Sequence, residues 1–296
     1  MGVCKTYTAG YDDTNKASNA GLRKDRRMIS FEKKTILITG ASSGIGKAFA
    51  ETLSGRGANV ILVARSRDKL MSLASEIKKQ SKVKAEVIVA DLSDPKAPAR
   101  VHAAVTKKGY QIDVLINNAG FGTQGQFHTL PAEVEQKEVM LNAAAVVQLT
   151  HLFLPGMVKK KNGIIINIAS AAAFEPLAFM AVYGATKAFV LSFSEALWAE
   201  YRKRGIHILV VCPGPIETNF SKVVGTEARN FGKRRTSQSV VETTLRALER
   251  GKSYTVDNRL MYFAVQSIRL LPRGFVAKLT ARIMKPKGTI SKKSSC

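Results

Sequence analysis

A chain of 296 residues with 45% hydrophobic content is long enough to bury one large core. Cys4, Cys212 and Cys296 are too few and too scattered for a disulfide framework, no Cys/His cluster has metal-ligand spacing, and the N-terminus lacks a secretory apolar run. A reducing, cytoplasmic setting without a metal centre is therefore expected. The formal charge of +24 attracts polyanions without choosing among phosphorylated ligands, anionic lipid and nucleic acid. No nucleic-acid-binding motif or aromatic platform accompanies it, so no specific nucleic-acid partner is expected.

Residues 1–30 are polar and aperiodic and read as a disordered tail, although Met-Gly-Val-Cys-Lys-Thr also fits an acylation pattern at Gly2. From Lys34 the pattern becomes regular. β-rich runs at Thr35–Thr39, Asn59–Ala64, Glu86–Ala90, Val114–Asn117, Ile164–Ile168 and His207–Val211 alternate with helical stretches. The helices are predicted at Ile45–Leu53, Asp68–Lys79, Lys96–Lys107, Ala132–Val158 and Ala181–Arg204. Strands apolar on both faces and separated by helices predict an α/β fold, a single doubly wound, Rossmann-like parallel sheet with helices on both faces. The expected organisation is a tail over 1–30, a catalytic domain over 31–258 with a substrate lid at 216–240, and a basic extension over 259–296.

The first strand runs into Thr39-Gly40-Ala41-Ser42-Ser43-Gly44-Ile45-Gly46 and then a helix. Gly40 allows the tight turn, while Gly44 and Gly46 let the backbone and the helix N-terminus approach a pyrophosphate. The second strand ends Val63-Ala64-Arg65-Ser66-Arg67, with no acid before Asp68. An acid there would accept from a ribose 2′-hydroxyl, whereas a 2′-phosphate needs a cation, so Arg65 points to NADP(H). Further on, Tyr183 and Lys187 stand four residues apart in a helical stretch, on one face. A nearby cation favours the phenolate and would bring a phenol with pKa near 10 towards the range of general acid–base work.

The spacing Gly-x-x-x-Gly-x-Gly, Asn117-Asn118-Ala119-Gly120 after the fourth strand, Ser170 thirteen residues before Tyr183, and Pro213-Gly214 after the sixth strand occur together in this order. In these motifs the chain resembles the classical branch of the short-chain dehydrogenase/reductase family over roughly residues 34–220. The resemblance implies a tetrad: Tyr183 as proton donor or acceptor, Lys187 holding the nicotinamide ribose, Ser170 bonding the developing alkoxide, and Asn142 positioning relay water. It implies further cofactor contacts from Asp91, Asn118, Ala119, Gly120, Pro213, Gly214, Ile216 and Thr218. It also implies a homo-oligomer built through the two long helices, and a small-molecule carbonyl or alcohol substrate. An NAD-dependent alcohol dehydrogenase and a non-catalytic NADPH sensor are the alternatives.

Phe121, Phe127, Phe174, Leu177, Phe179 and Met180 flank the expected substrate pocket, and the stretch from Phe220 to Gln238 reads as a basic, exposed lid. His102, His128, His151 and His207 have no partner spacing, Cys212 reads as a small buried hydrophobe, and Asp113 as a structural partner. Residues 251–296 carry ten basic side chains against one acid, Asp257. From Arg273 to Lys285 a helical plot gathers Phe275, Val276, Leu279 and Ile283 on one arc and Lys278, Arg282 and Lys285 on another. Such a helix can lie on an anionic membrane or pack on the body or a partner subunit, and the pattern leaves this open.

Overall fold

The computed structural model describes residues 29–216 and 235–285. Seven strands pair in parallel throughout: β1 (Thr35–Thr39), β2 (Asn59–Ala64), β3 (Ala85–Val89), β4 (Val114–Asn117), β5 (Gly163–Ile168), β6 (Ile206–Cys212) and β7 (Tyr254–Val256). Their order is β3-β2-β1-β4-β5-β6-β7. The predicted strands agree with the observed ones to within a residue at each end. Nine α-helices accompany them among the described residues: α1 (Gly44–Ser54), α2 (Arg67–Ser81), α3 (Ala97–Lys107), α4 (Ala132–Val139), α5 (Ala145–Lys160), α6 (Ala181–Tyr201), α7 (Ser237–Glu249), α8 (Arg259–Ile268) and α9 (Arg273–Met284).

Alternation along the strands divides the core between the two faces. Ile36 and Ile38 of β1 join Phe49 and Leu53 of α1, Leu70 and Ile77 of α2, and Val241 and Leu245 of α7. Leu37 instead points to the opposite layer, with Val101 of α3 and Leu149, Phe153 and Met157 of α5. Both faces of every central strand are covered, so the strands read as continuous apolar runs.

The helices α4 and α5 are joined without a break by a π-helical turn, Met140–Ala144. The combined Ala132–Lys160 helix is long and apolar enough by composition to cross a membrane. Here its buried residues, Leu149, Phe153 and Met157 among them, lie against the sheet. On α6 the buried residues are Tyr183, Gly184, Thr186, Lys187, Val190, Leu191 and Ser194, while Phe189 stacks on Phe193 with 46% of its surface exposed. The helix turns its polar, chemistry-bearing face inward, because that is where buried partners for those groups lie.

A buried ladder of amides fixes this orientation. Asn117 of β4 donates from Nδ2 to Thr150 Oγ1 (3.3 Å) and to Asn167 Oδ1 of β5 (2.9 Å), and Asn167 Nδ2 donates to Ser194 Oγ of α6 (2.9 Å). Ser194 Oγ in turn donates to Val190 O at 2.6 Å. All four side chains are buried, so each bond replaces a hydration the interior cannot supply. Replacing Asn167 by Ala is expected to destabilise the protein by about 2–4 kcal/mol in urea unfolding, since buried polar groups left unpaired cost about 1–3 kcal/mol each.

Candidate functional site

The strand order reverses between β1 and β4, opening a crevice beyond their carboxyl ends where open α/β sheets bind ligands. Hydrogen bonds stitch the two sides. Thr39 Oγ1 accepts from the backbone N–H of Asn118 (2.9 Å) and Ala119 (3.0 Å) and donates to Ile116 O (3.3 Å). Asn118 Nδ2 donates to Thr39 O (2.9 Å) and Gly40 O (3.2 Å).

The glycine loop fits tightly here. Gly40 (φ +64°) and Gly44 (φ +56°) occupy the left-handed region, and a Cβ on Gly46 would stand 2.4 Å from Gly40 O. Ser42, Ser43 and Ile45 lie in the turn and first residues of α1, and the Ser43 side chain makes no capping bond. The opening amides of α1 therefore face a crevice kept clear of side-chain bulk, a shape suited to a pyrophosphate.

Arg65 stands exposed just past β2 and contributes a positive charge felt at Asp91. Asp91 Oδ1 accepts from the N–H (3.0 Å) and hydroxyl (2.7 Å) of Ser93, a local turn that occupies this oxygen. On the other side, Pro213 O accepts from Ala171 N (2.8 Å), Gly214 N donates to Asp257 Oδ1 (3.0 Å), and Ile216 forms a parallel bridge with Arg235. Thr218 and most of the expected lid lie outside the described residues, as do residues 1–28 of the expected tail with the acylation pattern at Gly2.

The four residues of the implied tetrad come together beside β5. Ser170 caps the short 3-10 turn Ala171–Phe174, accepting from Ala172 N at 3.2 Å, and shares a hydrogen bond with the Tyr183 hydroxyl. Lys187 Nζ, one helical turn beyond Tyr183, donates to Ile168 O at 2.9 Å and lies 5.7 Å from the Tyr183 ring centroid. Asn142 sits in the π-helical turn, its Nδ2 donating to Phe121 O (2.8 Å) and Thr186 Oγ1 (3.2 Å) and its Oδ1 accepting from Phe121 N (3.1 Å). A Cβ on Gly120 would meet Asn142 Oδ1 at 3.0 Å and Lys187 Nζ at 3.3 Å, so that glycine leaves room where loop, amide and ammonium converge.

The electrostatics differ from the sequence expectation. Burial pushes the Tyr183 phenol up to about 12, against the Ser170 hydrogen bond that lowers it, and pushes Lys187 down to about 8, against the Glu138 charge that raises it. Desolvation of two buried groups outweighs the expected depression of the phenol by the ammonium. Tyr183 therefore holds its proton across the neutral range.

Sequence reasoning missed Glu138. It is fully buried on α4, its Oε2 accepting from Thr123 N (3.1 Å) and Oγ1 (3.0 Å), and its Oε1 has no hydrogen-bond partner among the described residues. Glu135 Oε1 lies 2.5 Å from the same Thr123 Oγ1. A hydroxyl has one hydrogen to give, so Thr123 serves the two carboxyls by sharing it between them. Burial pushes Glu138 up to about 7, with the Thr123 hydrogen bond opposing and the Glu135 charge assisting. The available signal was the Glu135/Glu138 pair at i, i+3 on the helix leading into Asn142.

Of the expected pocket residues, Leu177 and Met180 cluster with Tyr183, whereas Phe174 packs against Tyr254 and Phe127 is 65% exposed. Asp113 is structural, accepting from Thr35 N at 2.9 Å and pairing with Lys160 at 3.4 Å, and Cys212 is fully buried. His102 lies against the Phe153 ring. Asp257, the single acid of the C-terminal region, is 4% exposed and faces Arg235 at 3.9 Å besides holding Gly214.

The fold and crevice define a doubly wound dinucleotide-binding protein of the oxidoreductase kind. The short chain dehydrogenase family model matches residues 34–229. The chain is 36% identical over 191 residues to the very-long-chain 3-oxoacyl-CoA reductase of Bos taurus, a match covering 63% of this chain and 61% of that protein. It is 37% identical over 186 residues to hydroxysteroid dehydrogenase-like protein 1 of Gallus gallus, covering 62% of this chain and 55% of the relative. Among solved structures, a short-chain dehydrogenase from Sphingobium yanoikuyae in complex with NADPH superposes with a TM-score of 0.73 at 33% identity, covering 80% of this chain and 94% of that one. A bulky-bulky ketone specific alcohol dehydrogenase from Comamonas testosteroni superposes with a TM-score of 0.69 at 32% identity, covering 80% and 92%. The chain belongs to the short-chain dehydrogenase family.

The buried Glu138 makes stability depend on pH in a defined direction. Its carboxyl is raised in the folded protein from an ordinary value of 4.5 to about 7, so the stability it permits is present at low pH and lost as pH rises between those values. Glu138→Gln is expected to remove this dependence. The difference in unfolding free energy between wild type and variant should change by up to about 3 kcal/mol across that window, at about 1.4 kcal/mol per pKa unit. Parallel denaturant titrations at several pH values check it.

Proposed function

We propose that the protein is an NADP(H)-dependent oxidoreductase interconverting a ketone or aldehyde and an alcohol on a moderately apolar substrate of acyl-chain or steroid-like type. The observation that carries this reading is the convergence of Ser170, Tyr183, Lys187 and Asn142 beside the glycine-lined crevice, with the Tyr183 hydroxyl bonded to Ser170. Arg65 at the end of β2, with no acid before Asp68, supports the 2′-phosphorylated cofactor, as does the NADPH of the Sphingobium structure. The apolar character of Leu177 and Met180 beside Tyr183 supports the substrate class, as do relatives named for 3-oxoacyl-CoA.

Gly40, Gly44, Gly46 and the first amides of α1 would hold the pyrophosphate, Arg65 the 2′-phosphate, and Asn118 to Gly120 with Pro213, Gly214, Ile216 and Thr218 the remaining length. A bound NADP(H) supplies or takes up the hydride. Tyr183, protonated at neutral pH, gives its phenolic proton to the carbonyl oxygen in the reductive direction, while Ser170 donates a hydrogen bond to that oxygen as negative charge develops. Lys187 then returns a proton towards Tyr183, with Asn142 holding relay water behind it. The outward Phe189–Phe193 pair on α6 supports self-association through that helix, since exposed stacked aromatics are costly in a monomer.

Replacing Tyr183 by Phe is expected to lower carbonyl reduction by about 10²–10⁴-fold, the usual worth of a positioned general acid, with NADPH affinity unchanged. Retained turnover would remove Tyr183 from the acid role. Fluorescence titration with NADPH and NADH, for wild type and Arg65→Ala, tests the cofactor. A preference for NADPH that falls by about 10–100-fold in the variant is expected for loss of a charge-assisted phosphate contact. Equal binding of both cofactors would favour an NAD-dependent dehydrogenase. NADPH binding without turnover on a broad carbonyl panel would favour a sensor.

A further inference from the structure

The C-terminal helices expose an apolar surface that the reaction does not use. On α8, Met261, Val265 and Ile268 turn towards the body, Met261 and Val265 within a core cluster, while Leu260 (78% exposed) and Phe263 (66%) point away from it. The turn after α8 leaves Leu270 87% exposed. On α9, Val276 and Thr280 are buried, whereas Phe275 and Leu279, one helical turn apart, are 55% and 40% exposed. The arc of four apolar residues expected from sequence is thus split, Val276 going to the body and Phe275 and Leu279 to the outside. Bulky apolar side chains at this density are rare on a soluble surface unless something covers them.

Charge says what covers them. Arg269, Arg273, Lys278, Arg282 and Lys285 are all exposed, Lys278 and Arg282 flanking the Phe275–Leu279 stripe, and residues 258–296 contain no acid at all. Aliphatic and aromatic side chains pointing outward, bordered by cations that can reach up to phosphates, match the boundary between acyl chains and anionic headgroups. Glu195 of α6 borders the groove beside Arg269 and Arg273, and α8, α9 and the turn between them add no carboxylate of their own.

The same helix forms one wall of the expected pocket. Thr280 Oγ1 donates to Pro176 O (2.7 Å), Gln124 Nε2 donates to Met284 O (3.0 Å), and the Met284 side chain packs with Met180, Leu177 and Tyr183. We propose that α8 and α9 dock the protein on an anionic lipid surface, and that this docking sets the position of the Met284 wall and so admits substrates that reside in that surface. The second clause rests on the proposed reductase reading; the first does not.

The test is co-sedimentation of the full chain with vesicles of phosphatidylcholine alone and of phosphatidylcholine with phosphatidylglycerol. Binding to the mixed vesicles, weakened by salt and absent on phosphatidylcholine, is expected. Phe263→Asp with Leu270→Asp should weaken it by more than about tenfold, as should Arg273→Glu with Lys278→Glu. Both variants should keep wild-type NADPH affinity, which shows that the fold survives. Reduction of a water-soluble ketone should be equal in wild type and variants, while an acyl ketone presented in mixed vesicles should be reduced faster by wild type alone. Equal sedimentation of wild type and both variants would overturn the docking surface. A Phe263/Leu270 variant that binds vesicles normally but loses self-association in sedimentation velocity would assign the face to a second copy instead. Normal docking with no advantage on the vesicle-borne ketone would overturn the link to Met284 alone.

Discussion

The reversal of strand order between β1 and β4 is the constraint from which the rest follows. Parallel strands must be connected by crossovers, and crossovers leaving to opposite sides open a gap that backbone hydrogen bonding cannot close. Thr39 and Asn118 bridge that gap with side-chain bonds to backbone, holding it at a fixed width. The glycines then have a definite task, because a Cβ on Gly40 or Gly46 would collide with the very atoms that do the bridging. The crevice is thus a product of sheet topology, and the chemistry is mounted on helices that the sheet orients from beneath.

What the sheet cannot supply, buried polar groups do. The ladder from Thr150 through Asn117 and Asn167 to Ser194 turns α6 so that Tyr183 and Lys187 face inward. The same burial carries a cost in charge: it holds the phenol protonated and presses the ammonium towards neutrality, with Glu138 as the opposing influence on Lys187. The protonated state of the phenol follows from desolvation more than from attraction between Tyr183 and Lys187.

Much of this was legible in the sequence. Strand apolarity on both faces is a strong signal, so the first six strands and their order along the chain could be placed to within a residue at each end. The glycine loop and the Tyr183–Lys187 spacing depend on local geometry and could be read locally. The remainder depended on partners distant in sequence. β7 has only three residues and gains its meaning by pairing with β6. The helix α7 follows a polar, basic stretch that masked its start. Glu138 looks like any surface acid of an amphipathic helix until Thr123 and α6 enclose it. Phe189 and Phe193 recur at helical spacing, but apolar spacing alone cannot tell a core stripe from an exposed one, and here Phe189 is 46% exposed.

The π-helical turn at Met140–Ala144 adds about one residue to a turn of an otherwise regular helix, a rotation of about 100° at the α-helical pitch. It acts as a phase shifter. Upstream, the register is set by Glu135 and Glu138 and the loop they anchor; downstream, it is set by the stripe of Leu149, Phe153 and Met157 on the sheet. Without the extra residue one register would be imposed on both, and either the acids or the stripe would be swung out of place. Because the two halves are decoupled at Asn142, substitutions that retune the acidic side need not propagate into the core. A one-residue deletion in the turn should do more harm than most side-chain changes around it.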